Sequence, residues 1–145
     1  MSSDVFRVVV GVDGSPPSVD ALAWGVAEAR HRGGIVRVVT AWEYPAVVAG
    51  MEGVLDVSHL EEAARRAQSI ALGRVAHDGV DVITELAEGS AARILIEASR
   101  AADLVVVGSR GHGGFAGLLL GTVSAHVVRH AECSVLVARA HAPID

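Results

Sequence analysis

Three glycines, Gly108, Gly111 and Gly121, follow the spacing Gly-x2-Gly-x9-Gly, and Thr122, Val123 and Ser124 come directly after them. Glycine lets the backbone approach a ligand closely, and the unpaired amides at the start of a helix attract an anion. The chemistry this stretch offers is phosphate binding through main-chain N–H groups. A short, solidly apolar run, Leu104 to Val107, precedes it, as expected for a strand buried on both faces. A helical pattern from Thr122 to Arg129 follows. Strand, glycine loop and helix start together predict a nucleotide-binding loop. Arg110 and His112 lie within it and can offset phosphate charge, although solvent-exposed loop positions are the plainer reading of both.

Two better-known phosphate motifs do not fit. A Walker A loop ends in Gly-Lys-Ser/Thr, and this loop has no lysine. A dinucleotide fingerprint can be laid on Gly111-x-Gly113-x-x-Ala116, but it does not open directly into a helix. The spacing Gly108-x2-Gly111-x9-Gly121-Thr122 instead resembles the ATP-binding motif of the universal stress protein family. The flanks agree with that resemblance, from the strand before the motif to the closing run Val135 to Ala138. It extends from the first strand to the last.

The resemblance implies a single α/β domain over residues 1–145, adenine nucleotide alpha hydrolase-like. Its doubly wound, five-stranded parallel sheet would have order 3-2-1-4-5, with helices on both faces. That order puts a switch point between strands 1 and 4, where ligands of such sheets bind. By the same resemblance, Asp13 and the end of strand 2, Thr40 and Ala41, meet adenine and ribose, and Val12 and Val107 at the strand ends belong to the site. Gly111 turns the loop, Gly121 allows close approach of the phosphates, Thr122, Val123 and Ser124 supply amides, and Arg110 can offset phosphate charge. Gly108 is expected to spare the ribose from a side chain. ATP is the implied ligand, with Mg²⁺ held mostly through phosphate oxygens. The implied partner is a second copy of the chain, pairing along Val135 to Ala138. Ser134 stands where many relatives carry proline before that strand.

The bulk numbers agree with this class. At 145 residues one domain is expected. The chain is 51% hydrophobic and only 3% aromatic, so alanine, valine, leucine and glycine must make the core. A net charge of −5 with no basic run disfavours nucleic-acid binding. The single cysteine, Cys133, excludes an internal disulfide and suits a reducing compartment. No apolar run approaches the ~18 residues of a membrane span, and no signal-peptide layout precedes the first strand. A cytoplasmic location is expected.

Strands are predicted at Phe6–Val12, Ile35–Ala41, Asp81–Ala87, Leu104–Val107 and Ser134–Arg139. Helices are predicted from Pro16 to Gly33, with Ser15 as cap; from Val57 to His77, with an apolar face of Leu60, Ala64, Ala67, Ala71 and Val75; after Ser90; and from Thr122. Residues 42–56 lack periodicity and read as a flap over the site.

Other constellations carry less. His126 and His130 stand four apart on a helix, a spacing that can grip a metal, but a wet face near a helix C-terminus explains them more simply. Cys133 reads as a small buried hydrophobe. Trp42 and Tyr44 read as loop packing. The loop has no lysine and no clear base beside it; Asp13 and Glu43 are candidates only by position, so at most slow hydrolysis is expected. The primary reading is an ATP-binding regulatory or stress-tolerance factor. The alternatives are a weak Mg-ATP hydrolase, an AMP or cyclic-AMP sensor, and a nucleotide-free interaction module.

Overall fold

A computed structural model describes residues 5–43, 57–110 and 120–139. The strands are β1 (Arg7–Gly11), β2 (Ile35–Trp42), β3 (Asp81–Glu88), β4 (Leu104–Gly108) and β5 (Ser134–Ala138). The helices are α1 (Pro16–Arg32), α2 (Val57–Arg74), α3 (Ala91–Ser99) and α4 (Thr122–His130). All strands are parallel, in the order β3-β2-β1-β4-β5. The expected doubly wound sheet is the one observed. Gly111, His112, Tyr44 and most of the proposed flap lie outside the described residues.

Valine builds both faces of the sheet. Val8, Val10, Val36, Val38 and Val106 alternate onto one face and pack under Leu22, Val26 and Ala29 of α1 and Ala71 of α2. Val9, Val39, Val105 and Val107 take the other face, under Leu95 and Ala98 of α3 and Val127 of α4. Valine suits this position because its branched side chain fits a pleated surface and loses little rotamer freedom there. Small residues let α1 sit close. A Cβ built on Gly25 would lie 2.5 Å from Val10 Cγ2. The helix then stops at Gly33, whose left-handed φ of 65° closes the last turn onto the Ala29 carbonyl.

Two details differ from the sequence reading. α2 ends at Arg74, not His77. Val75 instead closes a tighter turn, its N–H donating to the Leu72 carbonyl at 3.4 Å, and its side chain still reaches the core. The apolar face of α2 also contains a polar member. Gln68 is 6% exposed, and its Nε2 reaches Glu85 O at 3.0 Å, Thr40 Oγ1 at 3.1 Å and Val38 O at 3.3 Å. An amide so buried is tolerable because acceptors on β2 and β3 surround it.

The glycines supply a paired test. Gly25→Ala should destabilise the protein by about 1–3 kcal/mol, because the added methyl pushes α1 off Val10. Gly73, in the last turn of α2, has nothing within 4 Å of the corresponding position. Gly73→Ala should therefore stabilise by about 0.4–1 kcal/mol. Urea denaturation midpoints of the two variants should move in opposite directions.

Candidate nucleotide site

The site begins where β1 and β4 part. β1 pairs with β2 as far as Gly11↔Val39, but its pairing with β4 ends at Val10↔Val106. From β1 the chain turns into α1 on one face of the sheet, while α3 and α4 cover the other. A crevice opens between the strand ends. Val12, Asp13, Ala41, Val107, Gly108, Arg110, Val123 and Ser124 line it, which brings together eight of the residues expected from the sequence. Gly121 does not line it, but is the buried N-cap of α4. Thr122 faces an adjoining groove between α3 and α4.

Five lining residues were not anticipated as site residues: Gly11, Ser18, Val39, Ala91 and Leu95. Ala91 and Leu95 project from one face of α3 and, with Val12, Val39 and Ala41, give the crevice an apolar side. Their helical spacing marks them as core-facing. Only the crossing of α3 over the β1 and β2 ends turns that face into a pocket wall.

Main-chain polarity can be read from the ladder. The Val39 carbonyl accepts from Val12 N at 2.9 Å and so faces β1, whereas the Trp42 carbonyl accepts from Gly89 N at 2.8 Å on the opposite side. Parallel strands alternate these directions residue by residue. Ala41 N–H and C=O therefore point to the β1 side, beyond the last residue that β1 pairs there.

The phosphate-loop motif is fastened at both ends. The Ser124 hydroxyl donates to the Gly108 carbonyl, Gly121 N donates to Ser109 O at 2.7 Å, and Ser109 N donates to Ala138 O at 2.6 Å. Gly121 provides no side-chain cap, so the first amides of α4 are left to other acceptors. Gly108 is also constrained by packing, independently of any ligand. A Cβ there would first meet Pro17, at 2.7 Å from both its carbonyl carbon and its Cβ. The glycine admits the start of α1 onto the end of β4.

Asp13 lines the crevice from the turn between β1 and α1. Its Oδ1 accepts from Ser15 N at 2.9 Å and from Ser15 Oγ at 2.5 Å, while Asp13 N and Gly14 N donate to Ser18 Oγ at 3.3 and 3.1 Å. The crevice is thus lined by a carboxylate from the β1–α1 turn, and by Arg110 and the start of α4 from the β4–α4 connection.

A profile of the Universal stress protein family matches residues 5–139. The chain belongs to the universal stress protein family. It is 35% identical over 134 residues to universal stress protein Rv2624c of Mycobacterium tuberculosis, a match that covers 91% of this chain and 47% of that protein. It spans about half the length of the curated relatives it matches. Among solved structures, a universal stress protein in complex with cAMP superposes with a TM-score of 0.63 at 27% identity, covering 96% of this chain and 100% of that one. A family protein of Arabidopsis thaliana with AMP bound superposes with a TM-score of 0.57 at 22% identity, covering 97% of each chain.

The remaining candidates fall into place beside this family's crevice. The His126 and His130 rings lie 6.1 Å apart on exposed surface, with His126 Nδ1 3.1 Å from Thr122 O. Among the described residues, no group of three or more potential metal ligands occurs. Burial pushes the Cys133 thiol up, which favours the neutral form over the nucleophilic thiolate. Among the described residues, no helix is long and apolar enough to cross a membrane.

The Gly108–Pro17 contact is testable without any ligand. Gly108→Ala should lower stability by about 1–3 kcal/mol, because backbone of α1 must move to admit the methyl. A thermal unfolding midpoint unchanged from the parent protein would show that the strand end and the helix start are not in contact.

Proposed function

We propose that this universal stress protein binds an adenine ribonucleotide in the β1/β4 crevice, with ATP as its ligand, and acts as a nucleotide-dependent regulatory or stress-tolerance factor. The observation that carries this is the polarity of the crevice. An apolar slot of Val12, Val39, Ala91 and Leu95 ends at the outward-facing N–H and C=O of Ala41. A neighbouring donor and acceptor of this kind complement the Watson–Crick edge of adenine. Across the crevice, Arg110 and the first turn of α4 offer positive potential to phosphate. Any Mg²⁺ would be held through phosphate oxygens. Phosphate belongs at this end because the Asp13 carboxylate would repel it at the other.

A second reading, AMP or cyclic AMP as ligand, is favoured by the bound molecules of the two solved relatives. The nucleoside half of the crevice would serve all three. Hydrolysis is not part of the proposal. Fast phosphoryl transfer needs a group that positions water at the γ-phosphate, and the carboxylate of the crevice lies at the nucleoside end.

Calorimetric titration with ATP, AMP and cyclic AMP, with and without Mg²⁺, tests the reading. Saturable ATP binding strengthened by Mg²⁺ is expected. Preference for AMP or cyclic AMP would favour the second reading, and no binding at millimolar nucleotide would overturn both. Gly121→Asp should weaken ATP binding at least about hundredfold, because a carboxylate at the α4 N-cap competes for the same amides and repels phosphate. The fold should survive, since aspartate is a good helix cap.

The same proposal includes a homodimer through β5. The two sheet edges differ in kind. β3 carries Asp81, Glu85 and Glu88, whereas β5 reads Ser-Val-Leu-Val-Ala with no charge. Charge on an edge strand discourages pairing, and a bare apolar edge invites it. Sedimentation at micromolar concentration should show a dimer, and a monomer there would exclude this pairing.

A further inference from the structure

A second cavity adjoins the crevice. It is a groove of about 560 Å³ between α3 and α4, within the ~300–1,000 Å³ of sites that take small molecules. Ala91 and Val123, in the first turns of the two helices, line both spaces. Thr122, the first residue of α4, lines the groove. The groove thus leads away from the helix start where the proposed phosphates lie. From α3 it is lined by Ala92, Arg93, Ile96, Glu97 and Arg100, whose three- and four-residue spacing puts them on one face. Arg93 and Arg100 are two turns apart, about 10 Å along the helix.

The lining is mixed in character. Ala92, Ile96 and Val123 are apolar, and Val123 is 37% exposed. Arg93 and Arg100 are balanced by Glu43 and Glu97, so the lining carries no net charge with His126 neutral. A free anion gains little there, because each guanidinium is offset by a carboxylate. A neutral, flat group with both donors and acceptors fits better. His126 Nδ1 lies 3.1 Å from the Thr122 carbonyl, which can only accept. Nδ1 therefore carries the proton, and Nε2 is the acceptor of the neutral ring. The Arg93–Glu97 and Arg100–Glu132 pairs, at 3.4 and 2.8 Å, are more than half exposed and hold weakly. A guanidinium released from such a pair can stack on an aromatic ring.

We propose that the groove between α3 and α4 holds a second nucleoside, so that the site binds dinucleotides, two nucleosides joined 5′ to 5′ through a phosphate bridge, more tightly than ATP. One nucleoside lies in the crevice, the bridge crosses the start of α4, and the second nucleoside lies along Arg93, Ile96 and Arg100. This rests on the nucleotide reading above and adds the other half of the ligand to it. The apolar side chains take the base out of water. The guanidinium planes cover it, and the carboxylates accept from ribose hydroxyls.

The test is calorimetry on the full chain with ATP and with the diadenosine di-, tri-, tetra- and pentaphosphates, a series that varies the length of the bridge. At least one member should bind at least about tenfold more tightly than ATP. The double variant Arg93→Ala/Arg100→Ala should lose that gain, bringing the dinucleotide within about twofold of ATP, while ATP itself binds as before. Arg93→Lys/Arg100→Lys keeps the charge but not the planar faces, and should also lose most of the gain. Thermal unfolding of each variant reports its fold. An equal loss for ATP and the dinucleotide in the alanine variant would mean that the arginines serve the phosphates, and would overturn the proposal. A series in which no member binds more tightly than ATP would overturn it too, while sparing the nucleotide reading. Binding of neither ATP nor any dinucleotide would remove that reading and this proposal together.

Discussion

The contact between Gly108 and Pro17 is the constraint on which the rim of the sheet depends. β4 must end without a side chain so that α1 can begin directly against it. That contact places Ser15 and Ser18 under the Asp13 turn on one wall of the crevice. The Gly108 carbonyl, in turn, accepts the Ser124 hydroxyl and fixes the start of α4 on the other wall. One residue without a Cβ therefore touches both helix starts that flank the crevice. The valine layers bury the strands between the helices, but they do not choose this geometry.

Much of the architecture was legible locally. Valine runs marked β1, β2 and β4, glycine marked the end of α1, and the Gly-x2-Gly-x9-Gly-Thr spacing marked the loop. Strand order was not legible from periodicity, which says which face a residue takes but not which strand lies beside it; the family resemblance supplied it. Gln68 shows a second limit. Its type signals solvent, and only the carbonyls of Val38 and Glu85 with the Thr40 hydroxyl make its burial acceptable. Ala91 and Leu95 show a third, since a core-facing helical stripe becomes a binding wall only through tertiary placement. Ser15 shows a fourth. The pattern named the cap position correctly, but two prolines removed the need for the side chain to cap.

The electrostatics of the crevice follow from which groups are spoken for. A carboxylate beside a phosphate site is costly unless something separates the two charges. Here the separation is architectural. Asp13 belongs to the β1–α1 turn and is bound by Ser15, whereas Arg110 and the α4 amides belong to the β4–α4 connection. The strand ends between them are apolar. Under the proposed nucleotide reading, hydroxyls would face the carboxylate and negative charge would face Arg110 and the α4 start. The apolar walls add desolvation, which strengthens both interactions.

Binding alone does not make a regulator. A ligand shifts a conformational equilibrium only through differential affinity for the two states. The structure offers a short mechanical route for such a difference. Ser109 links the phosphate end of the crevice to the sheet edge, accepting from Gly121 N and donating its own N–H to Ala138 O. Ala138 is the last residue of β5, the uncharged edge on which the proposed pairing depends. One residue, Ser109, therefore stands between the α4 cap and the edge strand. Linkage is reciprocal, so if the proposed pairing favoured the proposed nucleotide binding, nucleotide would in turn favour pairing.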